Sequence, residues 1–208
     1  MTICLVTDRR RRPPIAQAAE AIDAGVDLIQ IRERDLETSA LVSLVLRVVE
    51  LTRGSRTRVV VNDRLDVALA CGAHGVHLRG DSIPASRART IVPQGFVIGR
   101  SVHERAEALA VAADVDYLIA GTVFPTASKP GRLDLLGPNG LASIANAVSI
   151  PVLAIGGITP QRVGDVAAAG AAGIAALGLF ADADRPIKDV IRVLQARFNM
   201  SGGASSSA

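Results

Sequence analysis

A chain of 208 residues with 49% apolar residues can build one sizeable core, but with 2% aromatic residues that core must be aliphatic. The net charge of +3 comes almost wholly from arginine, since Lys129 and Lys188 are the only lysines, and no nucleic-acid-binding motif or base-stacking aromatic cluster accompanies it. These totals argue against a nucleic-acid-binding protein, and the lack of about 18 uninterrupted apolar residues argues against a membrane span.

Eight short aliphatic segments, each bounded by Gly, Asp or Pro, predict eight buried β-strands. They are residues 3–7, 28–32, 58–62, 75–78, 96–101, 117–121, 151–157 and 173–178. Segments with the apolar spacing of helices lie between them, namely 14–25, 39–54, 103–113, 159–170 and 185–198. Ser101 and Thr159 are the predicted N-caps of two of these helices, with Pro160 at a first helical position.

Eight strands that alternate with helices, at a repeat of roughly 20–30 residues, predict an α/β fold, a (β/α)8 TIM barrel. The barrel is expected to be a single domain over residues 1–200, and the small, polar residues 201–208 are expected to be a disordered tail. An open doubly wound sheet is the alternative, but the chain lacks the GxGxxG signature of a dinucleotide-binding domain.

The active site of such a barrel lies at the carboxyl ends of its strands, so the residues that follow each predicted strand are the candidate site. Most of them are polar, charged or glycine. They are Thr7, Asp8, Gln30, Arg32, Arg34, Asn62, Asp63, Arg79, Asp81, Ser101, His103, Gly121, Thr126, Ser128, Lys129, Gly156, Gly157, Leu177 and Gly178.

Two arginines on the second strand predict an anion site. Gln30 and Arg32 alternate along the strand and therefore share one face, with Arg34 just beyond. Guanidinium groups are costly to bury without an anion, and they bind phosphate or carboxylate with two parallel hydrogen bonds. The alternative is an internal ion pair from Arg32 to Glu33 or Asp63.

Two further segments suggest phosphate binding. "AIGGIT" (154–159) and "AALG" (175–178) end the seventh and eighth strands, where barrels commonly bind phosphate on backbone N–H groups. A simple tight turn at Gly156 and Gly157 is the alternative. In the loop after strand six, Lys129 stands beside Thr126 and Ser128 and could clamp an anion.

Histidine, cysteine and a basic run complete the candidates. His103 follows strand five and is read either as a general acid or base or as a helix N-terminal cap, whereas His74 and His77 are read as structural. The run 9–12 is read as a solvated loop, with attraction of an anionic substrate as the alternative. Two cysteines without metal-ligand spacing predict buried thiols and a cytoplasmic location.

Five motifs resemble the thiamin phosphate synthase and thiazole tautomerase family. They are "QIRERDL" (30–36), "VNDRLDVALACGAHGVHL" (61–78), "GRSVH" (99–103), "GTVFPTASKPG" (121–131) and "AIGGITPQRV" (154–163). The resemblance runs from "LVTDR" (5–9) to "ALGLF" (176–180). It implies a (β/α)8 barrel that acts in thiamin biosynthesis on small-molecule phosphates.

The family contains two activities. Synthases join hydroxymethylpyrimidine diphosphate to thiazole phosphate with Mg²⁺ and release diphosphate, whereas tautomerases shift a proton in a thiazole carboxylate phosphate and need no metal. For a synthase, the resemblance assigns the pyrimidine diphosphate to Gln30, Arg32, Asn62, Ser128 and Lys129, and the thiazole phosphate to the backbone of Gly157, Leu177 and Gly178. It assigns Mg²⁺ to Asp63, with Asp81 as the nearby second carboxylate.

Departures from the synthase pattern make the tautomerase our favoured interpretation of the sequence. Arg34 replaces the usual lysine, and "RGDS" (79–82) places Ser82 where the second magnesium-binding Asp is normal. In the tautomerase no cofactor is expected and His103 would move the proton, with Arg34 and Lys129 also in the catalytic set. The alternative is the Mg²⁺-dependent synthase.

Two other classes stay open. A non-catalytic regulator that binds thiazole or thiamin phosphate would keep the glycine cradle without needing His103. Another sugar-phosphate barrel enzyme, such as an epimerase or an aldolase, is also possible, but an aldolase would want a lysine inside a strand and neither lysine is there. The sequence is also compatible with a homo-oligomer.

Overall fold

The computed structural model describes residues 1–126, 131, 134–181 and 185–202, and eight parallel strands close into a barrel in the order β1 to β8. The strands are β1 (Thr2–Val6), β2 (Leu28–Ile31), β3 (Arg58–Asn62), β4 (Gly75–Leu78), β5 (Val97–Val102), β6 (Tyr117–Ala120), β7 (Val152–Ile155) and β8 (Gly173–Ala176). The predicted single-domain (β/α)8 barrel is confirmed.

A helix follows each strand. The helices are α1 (Pro14–Asp23), α2 (Thr38–Leu51), α3 (Leu65–Ala70), α4 (Ala85–Ile91), α5 (Arg105–Val111), α6 (Gly137–Ala145), α7 (Val163–Ala168) and α8 (Ile187–Gly202), with a 3-10 helix (Gly178–Phe180) before α8. Gly25 has a φ of 77° just beyond α1, as predicted for the residue that ends this helix. Within the described part of the chain, no helix is long and apolar enough to cross a membrane.

Side chains alternate between two apolar layers along each strand. In β1, Ile3 and Leu5 pack outward against the helices, whereas Cys4 and Val6 point into the barrel. The interior cluster holds Cys4, Val6, Leu28, Val60, Val97, Tyr117, Ile119, Leu153 and Ala175. The same alternation continues past these residues towards the carboxyl ends, and it decides which polar side chains enter the mouth of the barrel.

Two predicted helix starts are wrong. Ser101 lies inside β5 and is not an N-cap, because β5 extends through Val102 and α5 begins only at Arg105. Helix α7 begins at Val163 and not at Pro160, since the amides of Arg162 and Val163 both donate to the Thr159 carbonyl in a turn before the helix. In both cases a Ser or Thr, whose side chain can cap a helix, was taken for the N-cap although the helix begins further along the chain.

The end of the chain follows the predicted boundary only approximately. Helix α8 continues through Gly202, two residues beyond the predicted end of the barrel. The rest of the predicted tail, residues 203–208, lies outside the described residues. The predicted disorder of that tail stays a prediction.

Candidate active site

A cavity of about 780 Å³ opens at the carboxyl ends of the strands. It gathers most of the predicted site residues, namely Gln30, Arg32, Arg34, Asn62, Ser101, His103, Thr126, Gly156, Gly157, Leu177 and Gly178. Two of the predicted residues, Ser128 and Lys129, lie outside the described residues. Asp63 and Asp81 do not line this cavity, and their arrangement is described below.

The wall of the cavity is strongly cationic. Among the residues that the structure describes, it contains six arginines, Arg11, Arg32, Arg34, Arg79, Arg162 and Arg185, against a single carboxylate, that of Asp8. Burial, followed by the neighbouring guanidiniums of Arg32 and Arg79, lowers the pKa of Arg34. Like charges that crowd one another in this way favour the binding of a multivalent anion.

The direction of Arg32 is set by hydrogen bonds around it. Thr7 Oγ1 donates to Glu33 Oε1 over 2.7 Å and accepts the Arg32 amide over 3.0 Å. Glu33 also accepts a hydrogen bond from the amide of Arg9, and Asp63 forms its ion pair with Arg79. The alternative of an Arg32 ion pair with Glu33 or Asp63 is therefore wrong for the part of the chain that the structure describes.

Next to these arginines, two amide side chains are fixed against each other. Gln30 Nε2 donates to Asn62 Oδ1 over 2.9 Å, and Gln30 is buried. Both lie on strands whose alternation carries them inward. Fixed amides beside guanidiniums give this wall directional hydrogen-bonding groups as well as charge.

The opposite wall is built from backbone. Gly156 and Gly157 have φ values of 101° and 62°, and a Cβ on Gly157 would lie 2.4 Å from the Pro125 carbonyl oxygen. Arg162 Nη1 donates to the Gly157 carbonyl over 3.0 Å, and its guanidinium lies 5.0 Å from the centre of the Phe124 ring. Such a cradle can bind a phosphate on backbone N–H groups.

The two predicted metal ligands are held by an arginine. Arg79 Nη1 lies 3.4 Å from Asp63 Oδ2, and Arg79 Nη2 lies 2.5 Å from Asp81 Oδ2. The hydroxyl of Ser82 donates to Asp63 Oδ1. Among the described residues, no group of three or more His, Cys, Asp or Glu side chains could hold a metal ion.

His103 lines the cavity and lies just before α5, to whose first turn it is hydrogen-bonded. Its amide donates to Glu107 Oε2 over 2.6 Å, and its Nδ1 lies 3.3 Å from the same oxygen. Glu107 therefore orients the ring through Nδ1. The N-cap of α5 is Glu104, so the alternative interpretation of His103 as a helix N-terminal cap is wrong, and its role as a general acid or base stays a prediction.

His77 is a cavity residue that sequence reasoning assigned to structure alone. Its Nε2 lies 2.9 Å from Ser101 Oγ and its Nδ1 lies 3.1 Å from the Tyr117 hydroxyl, so three polar groups on β4, β5 and β6 form one chain. Tyr117 fits because its neighbour is Gly99, where a Cβ would lie 2.1 Å from the ring. The inward register that His77 shares with Asn62 could have identified it.

The stability of the fold should depend on the protonation of His77. Burial and then the charge of Arg100 lower the pKa of His77 to about 3, below the value of about 6.5 in an unfolded chain. Its neutral form therefore contributes fully above about pH 6.5, and this contribution is lost as the pH falls towards about 3. Between pH 7 and pH 5 the free energy of unfolding should fall by about 2 kcal/mol from this group.

Urea unfolding at both pH values measures this fall. Replacing His77 with glutamine should remove most of it and leave a smaller fall from His74, whose pKa is lowered by burial and by Arg58. An undiminished pH dependence in His77→Gln would contradict the assignment.

Three arginines of the cavity come from loops and were missed as site residues. Arg11 belongs to the basic run that we read as a solvated loop, whereas Arg162 and Arg185 follow strands seven and eight at a distance. Of the other members of the run, Arg9 and Arg10 pair with Asp35 near the surface, whereas the Arg12 side chain is only 11% exposed and pairs with Glu20, so the prediction of a solvated loop is wrong for Arg12. The excess of arginine over lysine in the sequence was the feature that could have indicated further arginines in the site.

The chain is similar to known proteins over most of its length. A family model described as thiamine monophosphate synthase matches residues 3–179. A thiamine-phosphate synthase of Chlorobium limicola is 37% identical over 200 residues, which covers 93% of each chain. One from Methanoculleus marisnigri is 43% identical over 177 residues, covering 83% of this chain and 84% of the relative.

A solved structure is similar over nearly the whole chain. The thiamine phosphate pyrophosphorylase of Pyrococcus furiosus superposes with a TM-score of 0.85 at 33% identity, covering 94% of this chain and 96% of that one. These relatives carry the synthase name, so the comparisons favour the synthase alternative over the tautomerase that we preferred from the sequence.

Proposed function

The chain belongs to the thiamine monophosphate synthase family, and on that premise we propose that it joins hydroxymethylpyrimidine diphosphate to thiazole phosphate and releases diphosphate. It is an enzyme of thiamin biosynthesis, and the synthase is a transferase. The observation that carries the proposal is one cavity with two anion-binding walls of different construction.

The guanidinium wall suits the diphosphate. Arg32 and Arg34 reach the cavity beside the paired amides of Gln30 and Asn62, and neither arginine has a carboxylate ion pair among the described residues. Arginine binds phosphate oxygens with two parallel hydrogen bonds, which orients as well as attracts them. Ser128 and Lys129 lie outside the described residues, and we expect them to bind the same diphosphate.

The backbone wall suits the single phosphate of the thiazole. Gly156 and Gly157 have positive φ values, which are unfavourable for residues with a side chain. Leu177 and Gly178 line the same cavity. Backbone N–H groups bind a phosphate without requiring a further cation. Two phosphorylated substrates would then lie in one cavity with their organic parts between the walls.

Charge in the wall would act on the departing diphosphate. In the proposed reaction the bond from the pyrimidine methylene carbon to the diphosphate oxygen breaks, and its electron pair leaves with that oxygen. The lone pair of the thiazole nitrogen forms the new carbon–nitrogen bond. Positive groups fixed before the reaction stabilise the charge that develops on the leaving oxygen.

A divalent cation at Asp63 does not fit this arrangement. The guanidinium of Arg79 lies between the carboxylates of Asp63 and Asp81, and the other oxygen of Asp63 accepts the Ser82 hydroxyl. A hard cation requires free oxygen donors, and here those donors are engaged by N–H and O–H groups. No step of the proposed reaction is therefore assigned to a metal.

The coupling assay tests the function. The purified chain is mixed with hydroxymethylpyrimidine diphosphate and thiazole phosphate, with Mg²⁺ in one series and with EDTA in the other, and thiamin phosphate is measured by chromatography. Product in either series supports the synthase. Absence of product in both, with thiazole phosphate still bound and its carboxylate precursor rearranged, would overturn it in favour of the tautomerase, with His103→Ala as the next variant.

We also propose a cytoplasmic location and small phosphorylated molecules as partners. Cys4 and Cys71 are both free thiols in buried positions, which is typical of a reducing compartment. A homo-oligomer remains a prediction, for which light scattering on the purified chain is the measurement.

A further inference from the structure

The guanidinium of Arg79 lies between the two carboxylates to which the family resemblance assigns a metal. It contacts Asp63 through Nη1 and Asp81 through Nη2. Arg79 also lines both the main cavity and a smaller cavity of about 150 Å³ that includes Asp63. The arginine therefore separates the Asp63 carboxylate from the space where substrates would bind.

This arrangement is fixed by its own hydrogen bonds. The Arg79 amide donates to Ser82 Oγ over 2.7 Å, and the Ser82 amide donates back to the Arg79 carbonyl over 3.2 Å. The Ser82 hydroxyl then donates to Asp63, whose own amide donates to the His77 carbonyl over 2.9 Å. Ser82 thus holds the carboxylate that receives the guanidinium, in the place where the family normally has an Asp.

The charges of the cluster balance without a metal. Asp63 and Asp81 interact electrostatically with Arg34 as well as with Arg79, and both carboxylates raise the pKa of Arg34. Arg34 keeps the positive charge of the lysine that is usual at this position, whereas Arg79 adds one positive charge and Ser82 removes one carboxylate, which together equal the charge of one divalent cation. The chain therefore carries, in covalently attached side chains, the charge that a metal would supply.

We propose that Arg79, held between Asp63 and Asp81, replaces a divalent cation in this site, so that diphosphate binds and leaves without Mg²⁺. This inference rests on the proposed synthase function. A guanidinium has five N–H groups, so Arg79 can hold both carboxylates and still donate to a phosphate oxygen in the cavity. Mg²⁺ would gain no site at Asp63 while the arginine is present.

Binding of inorganic diphosphate by calorimetry tests the inference independently of turnover. The wild-type chain should bind diphosphate in EDTA, and excess Mg²⁺ should change its Kd by less than about threefold after correction for the Mg²⁺–diphosphate complex. A wild-type chain that binds diphosphate only with Mg²⁺ would overturn the inference.

The variant Arg79→Ala should convert the site to dependence on metal. Losing a charged hydrogen bond should weaken diphosphate binding in EDTA about tenfold or more. Mg²⁺ should then restore binding, since Asp63 and Asp81 become free to ligate it. Equal binding by wild type and Arg79→Ala in EDTA would overturn the inference.

Two further variants keep the test clear of folding and of general charge effects. Arg64→Ala removes the same charge next to Asp63, but Arg64 is paired with Asp66 and does not line the main cavity, so its diphosphate Kd should stay within about twofold of wild type. Arg79→Lys keeps a cation but lacks the fork that spans two carboxylates, so intermediate binding is expected. If Arg79→Ala fails to fold, binding by Arg79→Lys equal to wild type in EDTA would overturn the inference.

The coupling assay separates the two proposals. Product in EDTA supports both. Product only with Mg²⁺ keeps the synthase and overturns the role of Arg79. Diphosphate binding without metal, with no product in either series, would support Arg79 as a cation that binds diphosphate. The same result would overturn the synthase proposal and, with it, the proposal that diphosphate leaves the site as a product.

Discussion

Replacing Arg32 with alanine should abolish measurable binding of diphosphate. Two charge-assisted hydrogen bonds to phosphate contribute about 3–5 kcal/mol together, so the Kd should rise by at least about 100-fold. Arg32→Lys should lose less, about tenfold, because an ammonium keeps the charge without the fork. Calorimetry with inorganic diphosphate measures both.

The same variant should not weaken the fold. Arg32 is one of the guanidiniums that lower the pKa of Arg34, so its removal relieves repulsion between like charges. The free energy of unfolding should stay level or rise slightly. Arg58→Ala is the matched control, since Arg58 is exposed at the opposite end of the barrel, at the start of β3, and should leave the Kd unchanged. Wild-type affinity in Arg32→Ala would contradict its place in the guanidinium wall.

Replacing Gly157 with alanine should damage the backbone wall. Its φ of 62° disfavours any side chain by about 1–2 kcal/mol, and a Cβ would lie 2.4 Å and 2.7 Å from the carbonyl oxygens of Pro125 and Phe124. The loop after β6 would have to move, and the phosphate cradle would move with it. Affinity for thiazole phosphate should fall at least about tenfold, measured by calorimetry.

Gly72 offers a closely matched control for this change. Its φ of 63° is nearly the same as that of Gly157, but a Cβ there would meet nothing within 4 Å. Gly72→Ala should therefore lose about 1–2 kcal/mol of folding free energy and bind thiazole phosphate as wild type does. Equal binding by both alanine variants would show that the close approach at Gly157 does not shape the site.

The part of the site carried by strands could be predicted from the sequence. Period-two alternation carries Gln30 inward from Leu28 and Asn62 inward from Val60, and the eight aliphatic runs fix which ends meet. The same reasoning applied to β4 would have found His77. We did not apply it to His77, because a histidine among apolar residues is ordinarily expected to be structural.

The part carried by loops could not be predicted in the same way. Arg11, Arg162 and Arg185 lie outside the helices and strands of the structure, where the direction of a side chain depends on turns and on local hydrogen bonds such as that from Arg162 to the Gly157 carbonyl. The pairing of Arg79 with two carboxylates depends on the turn that Ser82 closes. From the sequence, Arg79 could be identified only as one of the residues that follow the fourth strand.

The choice between synthase and tautomerase turned on a few residues whose effect depends on geometry. Arg34 and Ser82 depart from the synthase pattern, and we gave them more weight than the rest of the chain. The relatives, at 37% and 43% identity, carry the synthase name across four fifths or more of the chain. One replacement at a metal position can change how charge is supplied without changing the reaction.

The interior of the barrel also has a consequence for chemical labelling. Burial raises the pKa of the Cys4 thiol to about 12, so at pH 7 only about one thiol in 100,000 is ionised in the closed barrel. Cys71 lies in the outer layer at the end of α3, where its burial raises the pKa of its thiol as well. An alkylating reagent can reach Cys71 when α3 frays, but it reaches Cys4 only when the strands themselves separate. The rates at which the two thiols are modified therefore separate local fraying from global opening within one unmodified chain.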